Sequence, residues 1–191
     1  MPDRNIFAER EHWLEEKYFR KKDEELIERL HRQRERQTEH SQMAEMIGVS
    51  DRYVIDALQD LGYTDKTVQL IYLAPLVQVA WSEGGVADLE RETILKIAET
   101  RGIESGSSAH QQLIDWLTIK PSEQFFRANL RATRAILESL PPQQGELRRH
   151  ELIDSCNLIA SIVEGGIMGR ARISETERIL IEHIATEIGM Q

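Results

Sequence analysis

Ala80-Trp81-Ser82-Glu83-Gly84-Gly85-Val86-Ala87-Asp88-Leu89-Glu90-Arg91 has a second version further along the chain. It reads Ser161-Ile162-Val163-Glu164-Gly165-Gly166, then six more residues, then Ile173-Ser174-Glu175-Thr176-Glu177-Arg178. From Val86 and Ile173 onward the two run without a gap. Glu90 matches Glu177, Arg91 matches Arg178, Ile94 matches Ile181, Ile97 matches Ile184, Ala98 matches Ala185 and Gly102 matches Gly189. Each version reads as an apolar helix, an acidic turn and an amphipathic helix closed by glycine, the usual residue just past a helix end. A unit stated twice implies a core of two-fold character carrying two acidic turns.

Working outward, the pattern stays helical. Thr64 to Ser82 is nearly all apolar and predicts a buried central helix, kinked or interrupted at Pro75. Val86 to Gly102 is amphipathic. Ala109 to Ile119 forms a helix stopped by Lys120-Pro121, and Ser122 opens another that runs to Leu140, where Pro141-Pro142 ends it. Gln143 to Val163 is the second apolar helix. Ser174-Glu175-Thr176-Glu177 is a capping box for the last helix. Nothing alternates with period two, so the expected class is all-α.

The first forty residues differ in kind. They hold 10 basic and 11 acidic side chains, whereas residues 41–191 hold 14 and 22, so the acidity belongs to the body. Glu16/Arg20, Glu25/Arg29 and Glu28/Arg32 are spaced to support an exposed helix. Phe7, Leu14, Tyr18, Leu26 and Leu30 make a thin apolar stripe, enough for one partner helix and too narrow for a core. His31 to His40 is wholly polar. The expected organisation is therefore a charged helical arm over 1–40, a small helical subdomain over 41–63, and a bundle over 64–191 with repeats at 64–103 and 144–190.

A net charge of −9 disfavours nucleic acid and anionic lipid and suits a cation or a protein partner. No apolar run approaches the roughly 20 residues of a membrane span. A single cysteine, Cys156, suits a reducing cytoplasm. In its apolar run it reads as a buried thiol rather than a nucleophile. The six histidines are dispersed and make no zinc pattern.

The doubled passage, Ala80-Trp81-Ser82-Glu83-Gly84-Gly85-Val86 with Glu90, Ile97-Ala98 and Gly102, resembles the tellurite-resistance TerB family. Val163-Glu164-Gly165-Gly166 with Ile173-Ser174 and Glu177 is similar to the same pattern with a longer loop. The resemblance covers about residues 66–190. It implies an all-α bundle with pseudo-two-fold repeats, an acidic surface associated with metal cations, and a place in stress response. Here Glu83 and Glu164 stand where that family usually carries a turn aspartate, and Ala87 stands opposite the capping Ser174. Phe7-x-x-Arg10-Glu11, Glu16-Lys17-Tyr18, Asp23-Glu24-Glu25 and Ala44-Glu45-x-x-Gly48 are similar to small zeta-type inhibitors of bacterial ATP synthase.

Two readings of the acidic turns stand side by side. Glu83, Asp88 and Glu90 with Glu164, Glu175 and Glu177 could meet and hold Ca²⁺ or another divalent cation through oxygen. Alternatively, the carboxylates in the first helical turns cap free N–H groups and oppose the helix dipole. Gly84-Gly85 and Gly165-Gly166 lack any phosphate-loop context and read as tight turns. Gln42 to Leu58 matches helix-turn-helix spacing, but Asp51, Asp56 and Asp60 would face the groove and be repelled by phosphate. The expectation is a non-enzymatic cytoplasmic scaffold or sensor. It binds a protein partner, or itself, through Phe7, Leu14, Tyr18, Leu26 and Leu30. The rival expectation is a regulator of an enzyme such as a rotary ATPase. DNA binding and membrane insertion are not expected.

Overall fold

A computed structural model describes residues 3–162 and 173–190, and of residues 3–12 and 14–16 the backbone alone. The regular secondary structure of the described residues is all helical, without strands. The chain divides into two units, residues 1–41 and 42–191. Helix α1 runs unbroken from Asp3 to Ile47. The sequence suggests a separate short helix beginning near Ser41. No breaker stands before Gly48, however, and Gly48 takes the left-handed conformation (φ 71°) that ends the helix. Of the three expected ion pairs on α1, Glu28–Arg32 closes at 3.7 Å. Glu25 and Arg29 form no ion pair among the described residues, and the side chain of Glu16 lies outside them.

The second unit contains α2 (Arg52–Asp60), a 3-10 segment (Val68–Tyr72), α3 (Ala74–Ala80), α4 (Asp88–Thr100), α5 (Ser108–Thr118), α6 (Glu123–Ser139), α7 (Pro142–Ala160) and α8 (Glu175–Glu187). The long apolar run from Thr64 is thus not one kinked helix. Pro75 sits in the first turn of α3, where its missing N–H costs nothing, and the chain before it tightens into the 3-10 segment. Every residue of α3 is buried. It packs against α4, α6, α7 and α8, while α6 packs against α2, α7 and α8. Helix α6 buries Phe126, Asn129, Leu130, Thr133, Ile136 and Leu137, a stripe at helical spacing. Met43, Ile47, Val54, Ile55, Leu58 and Tyr63 join the same core. That packing accounts for the helix-turn-helix-like spacing of residues 42–58.

One buried polar network crosses this core. Asn129 on α6 donates through Nδ2 to the Tyr63 hydroxyl at 2.6 Å, and the Thr133 hydroxyl lies 3.4 Å from Asn129 Oδ1. Tyr63 also sits edge-on to Trp116, centroid to centroid 6.0 Å, and Trp116 packs on Phe125 at 5.1 Å. The turn after α2 is thereby fastened to α5 and α6.

Candidate functional site

The acidic turns are built around two helix starts. At α8 the chain enters through Ser174 in an extended conformation (φ −66°, ψ 158°). Its hydroxyl accepts from the Glu177 N–H at 3.2 Å, and the Glu177 carboxylate accepts from the Ser174 N–H at 2.8 Å. The expected capping box is complete. At α4, Ala87 has nearly the same backbone (φ −67°, ψ 153°), and the Glu90 carboxylate accepts from the Ala87 N–H at 2.8 Å. The reciprocal bond is missing, because alanine has no oxygen to offer. Glu90 and Glu177 are each 7% exposed. Burial of a carboxylate is tolerable here because an N–H donor and the positive end of the helix dipole meet it.

The far ends of the two helices also match. Gly102 and Gly189 adopt φ 85° and 82°. Behind them Ile103 N–H reaches Ala98 O at 3.0 Å and Met190 N–H reaches Ala185 O at 2.9 Å. These are the bonds of a Schellman ending, which needs a left-handed residue and so favours glycine.

Of the remaining candidate ligands, Glu175 is engaged by an arginine. Glu175 holds Arg178 at 2.5 Å, and Arg178 also reaches Glu182 at 2.6 Å. The Arg178 hydrogen bond and charge hold the Glu175 carboxyl below its ordinary range. Glu83 and Asp88 are exposed, and Glu164 lies outside the described residues, as does Gly165-Gly166. Among the described residues no group of three or more His, Cys, Asp or Glu side chains gathers where a metal ion could sit. Arg91, the counterpart of Arg178, takes a different role. It donates to Leu117 O at 2.6 Å and so ties α4 to the carbonyl end of α5. Trp81 donates its indole N–H to Trp116 O at 2.9 Å, which anchors the start of the first turn to the same helix.

The missing half of the first capping box gives a direct expectation. Ala87→Ser supplies an acceptor on a backbone already shaped for it and should raise stability by about 0.5–1 kcal/mol. A thermal melt that does not rise would show that the hydroxyl cannot reach the N–H of Glu90.

The second feature lies on α1. Trp13, Tyr18, Phe19, Leu26, Ile27 and Leu30 are all exposed, each by about half or more of its surface (57%, 56%, 60%, 52%, 53% and 49%). Of the sequence-predicted stripe, Tyr18, Leu26 and Leu30 are therefore on the surface, while the side chains of Phe7 and Leu14 lie outside the described residues. Trp13, Phe19 and Ile27 escape a stripe anchored at Phe7. The signal that finds them is the spacing backward from Leu30: Leu26 is four residues before it and Phe19 seven before that. At 100° per residue these three fall within about 40° of one another. Ile27 and Trp13, fourteen apart, share one flank, and Tyr18 lies on the other. Lys17 and Lys22 lie over the Trp13 and Tyr18 rings, each 5.0 Å from the centroid.

Cys156 is buried, and burial pushes its thiol up to about 12. Among the described residues no helix is long and apolar enough to cross a membrane. No family model, no curated protein and no solved structure matches the chain.

Proposed function

We propose that the chain is a non-enzymatic protein-association module, with α1 as its docking element on a TerB-like body of two related helix–turn–helix halves. The row of exposed apolar side chains along α1 carries the reading. Phe19, Leu26 and Leu30 form a line on a highly charged helix, flanked by Trp13, Tyr18 and Ile27, and aromatic and aliphatic side chains in such a line act as anchors for a second helix. Their exposure costs free energy that a partner surface would recover. The matched caps and Schellman endings of α4 and α8 support the two-halves description of the body. The buried Glu90 and Glu177 act within this reading as structural caps. The cytoplasm is the compartment this reading expects for a chain with one buried thiol.

The test is a triple substitution, Phe19→Asp, Leu26→Asp and Leu30→Asp, in the full chain. These side chains lie outside the core of residues 42–191, so the melt of the body should stay put. Association, followed by light scattering and chemical crosslinking, should be lost. If the variant crosslinks and scatters as the parent does, α1 is not the docking element.

A further inference from the structure

Charge on α1 is arranged in blocks. Residues 9–16 carry −3. Residues 17–22, with Lys17, Arg20, Lys21 and Lys22 and no acid, carry +4. Residues 23–28, with Asp23, Glu24, Glu25 and Glu28 and no base, carry −4, and residues 29–36 carry +3. The four blocks cancel, and they are antisymmetric about the junction between Lys22 and Asp23. One use for alternating charge is pairing along the same helix at i,i+4. Here Glu28–Arg32 is such a pair at 3.7 Å, while Lys17 and Lys22 rest over aromatic rings instead. Among the described side chains of residues 17–36, most of this charge is thus exposed beside the apolar line.

We infer that α1 pairs with α1 of a second copy of this chain, antiparallel, with the two-fold axis between Lys22 and Asp23. The inference rests on the reading of α1 as a docking element and names its occupant. Antiparallel alignment about that point sets residues 17–22 against residues 23–28 of the second copy, +4 against −4. It sets residues 9–16 against 29–36, −3 against +3. Four of the exposed apolar positions obey the same symmetry, while Leu30 falls level with Glu15 and Trp13 with Arg32 of the second copy. Phe19 comes level with Leu26 of the second copy, and Tyr18 with Ile27. An in-register parallel pair would set each block beside its own sign and Phe19 beside Phe19. Charge arranged this way selects orientation and register, while the apolar line supplies the attraction. The interface is isologous, so it closes at two copies.

The experiment mixes two full-length variants, His12→Cys and Gln33→Cys, which the antiparallel register places at one level on the apolar side of α1. Cys156 can remain, since a buried thiol of such high pKa does not compete. Under mild oxidation the expected product is the mixed disulfide between the two variants, with neither variant crosslinking to itself, and a dimer in sedimentation. Self-crosslinking of each variant would mean a parallel pair and would overturn the inference while leaving α1 a docking element. A monomer at every concentration also overturns it. The Asp-substituted triple variant tests the wider reading separately. Lys21→Glu with Lys22→Glu should weaken the dimer about tenfold or more through four new like-charge contacts. Adding Asp23→Lys and Glu24→Lys should restore it. A swapped quadruple variant that stays monomeric while the parent dimerises would count against this register.

Discussion

Phe126→Ala should cost about 3–5 kcal/mol, the usual range for emptying a buried aromatic site. Phe126 is 1% exposed and lies on the face of α6 that meets the rest of the core. Its ring sits edge-on to Phe125, 5.7 Å between centroids, and Phe125 in turn packs on Trp116 and Tyr63. Truncation removes the transfer free energy of the ring. It also leaves a hole, because the surrounding side chains come from helices that cannot all move inward together. In a denaturant titration the midpoint should fall with an unchanged slope. Phe125→Ala, at a half-buried position, should cost visibly less. Equal losses at the two sites would mean that the ring cluster, rather than burial in the core, sets the stability of α6.

Gly145→Ala should destabilise by about 1–3 kcal/mol, against the direction that helix propensity alone dictates. Gly145 lies in the first turns of α7, where alanine would otherwise gain about 1 kcal/mol. A Cβ there would meet the carbonyl oxygen of Leu137 at 2.6 Å and the Arg149 guanidinium at 3.3 Å. The arginine can swing away. The Leu137 carbonyl belongs to the backbone of α6, so relief requires α6 and α7 to separate. The two helices pack closely, and Leu152, Cys156 and Ile159 continue the buried face of α7 beyond the contact. A thermal melt of the variant decides the sign. A rise in midpoint would mean that this contact relaxes at little expense.

Local chemistry was legible in the sequence, and tertiary occupation was not. The box from Ser174 to Glu177 and the glycines at 102 and 189 are visible because caps and helix endings are decided within a few residues. The stops at Pro121 and Pro141-Pro142 are visible for the same reason. Pro75 marked an interruption but not its form, since a first-turn proline and a kink leave the same local trace. The continuation of α1 to Ile47 leaves no local mark, because the polar stretch before it breaks no helix rule. That Met43, Val54 and Leu58 share the core of residues 42–191 depends on α6, some eighty positions away in the chain. The acidic turns show the limit most clearly. Glu90 and Glu177 are the right residues for a ligand and the right residues for a cap, and only the bonds to Ala87 and Ser174 show which oxygens are engaged.

Two groups inside the core are weak acids that the fold keeps protonated. Burial raises the pKa of the Cys156 thiol to about 12 and pushes that of the Tyr63 phenol well above its ordinary value, although the Asn129 bond pulls it part of the way back. An unfolded chain releases the thiol proton near pH 8.5 and the phenol proton near pH 10. Below those values neither group distinguishes the two states. Above them the unfolded chain binds fewer protons than the folded one, so each further step in pH favours unfolding until the folded groups themselves ionise. The core thus loses stability in alkali through two protons that it holds more tightly than the unfolded chain does, and the half-buried Tyr72 phenol, also raised by burial, adds to the loss. Stability measured from pH 8 to 11 should fall, and Tyr63→Phe should reduce the part of that fall that begins near pH 10.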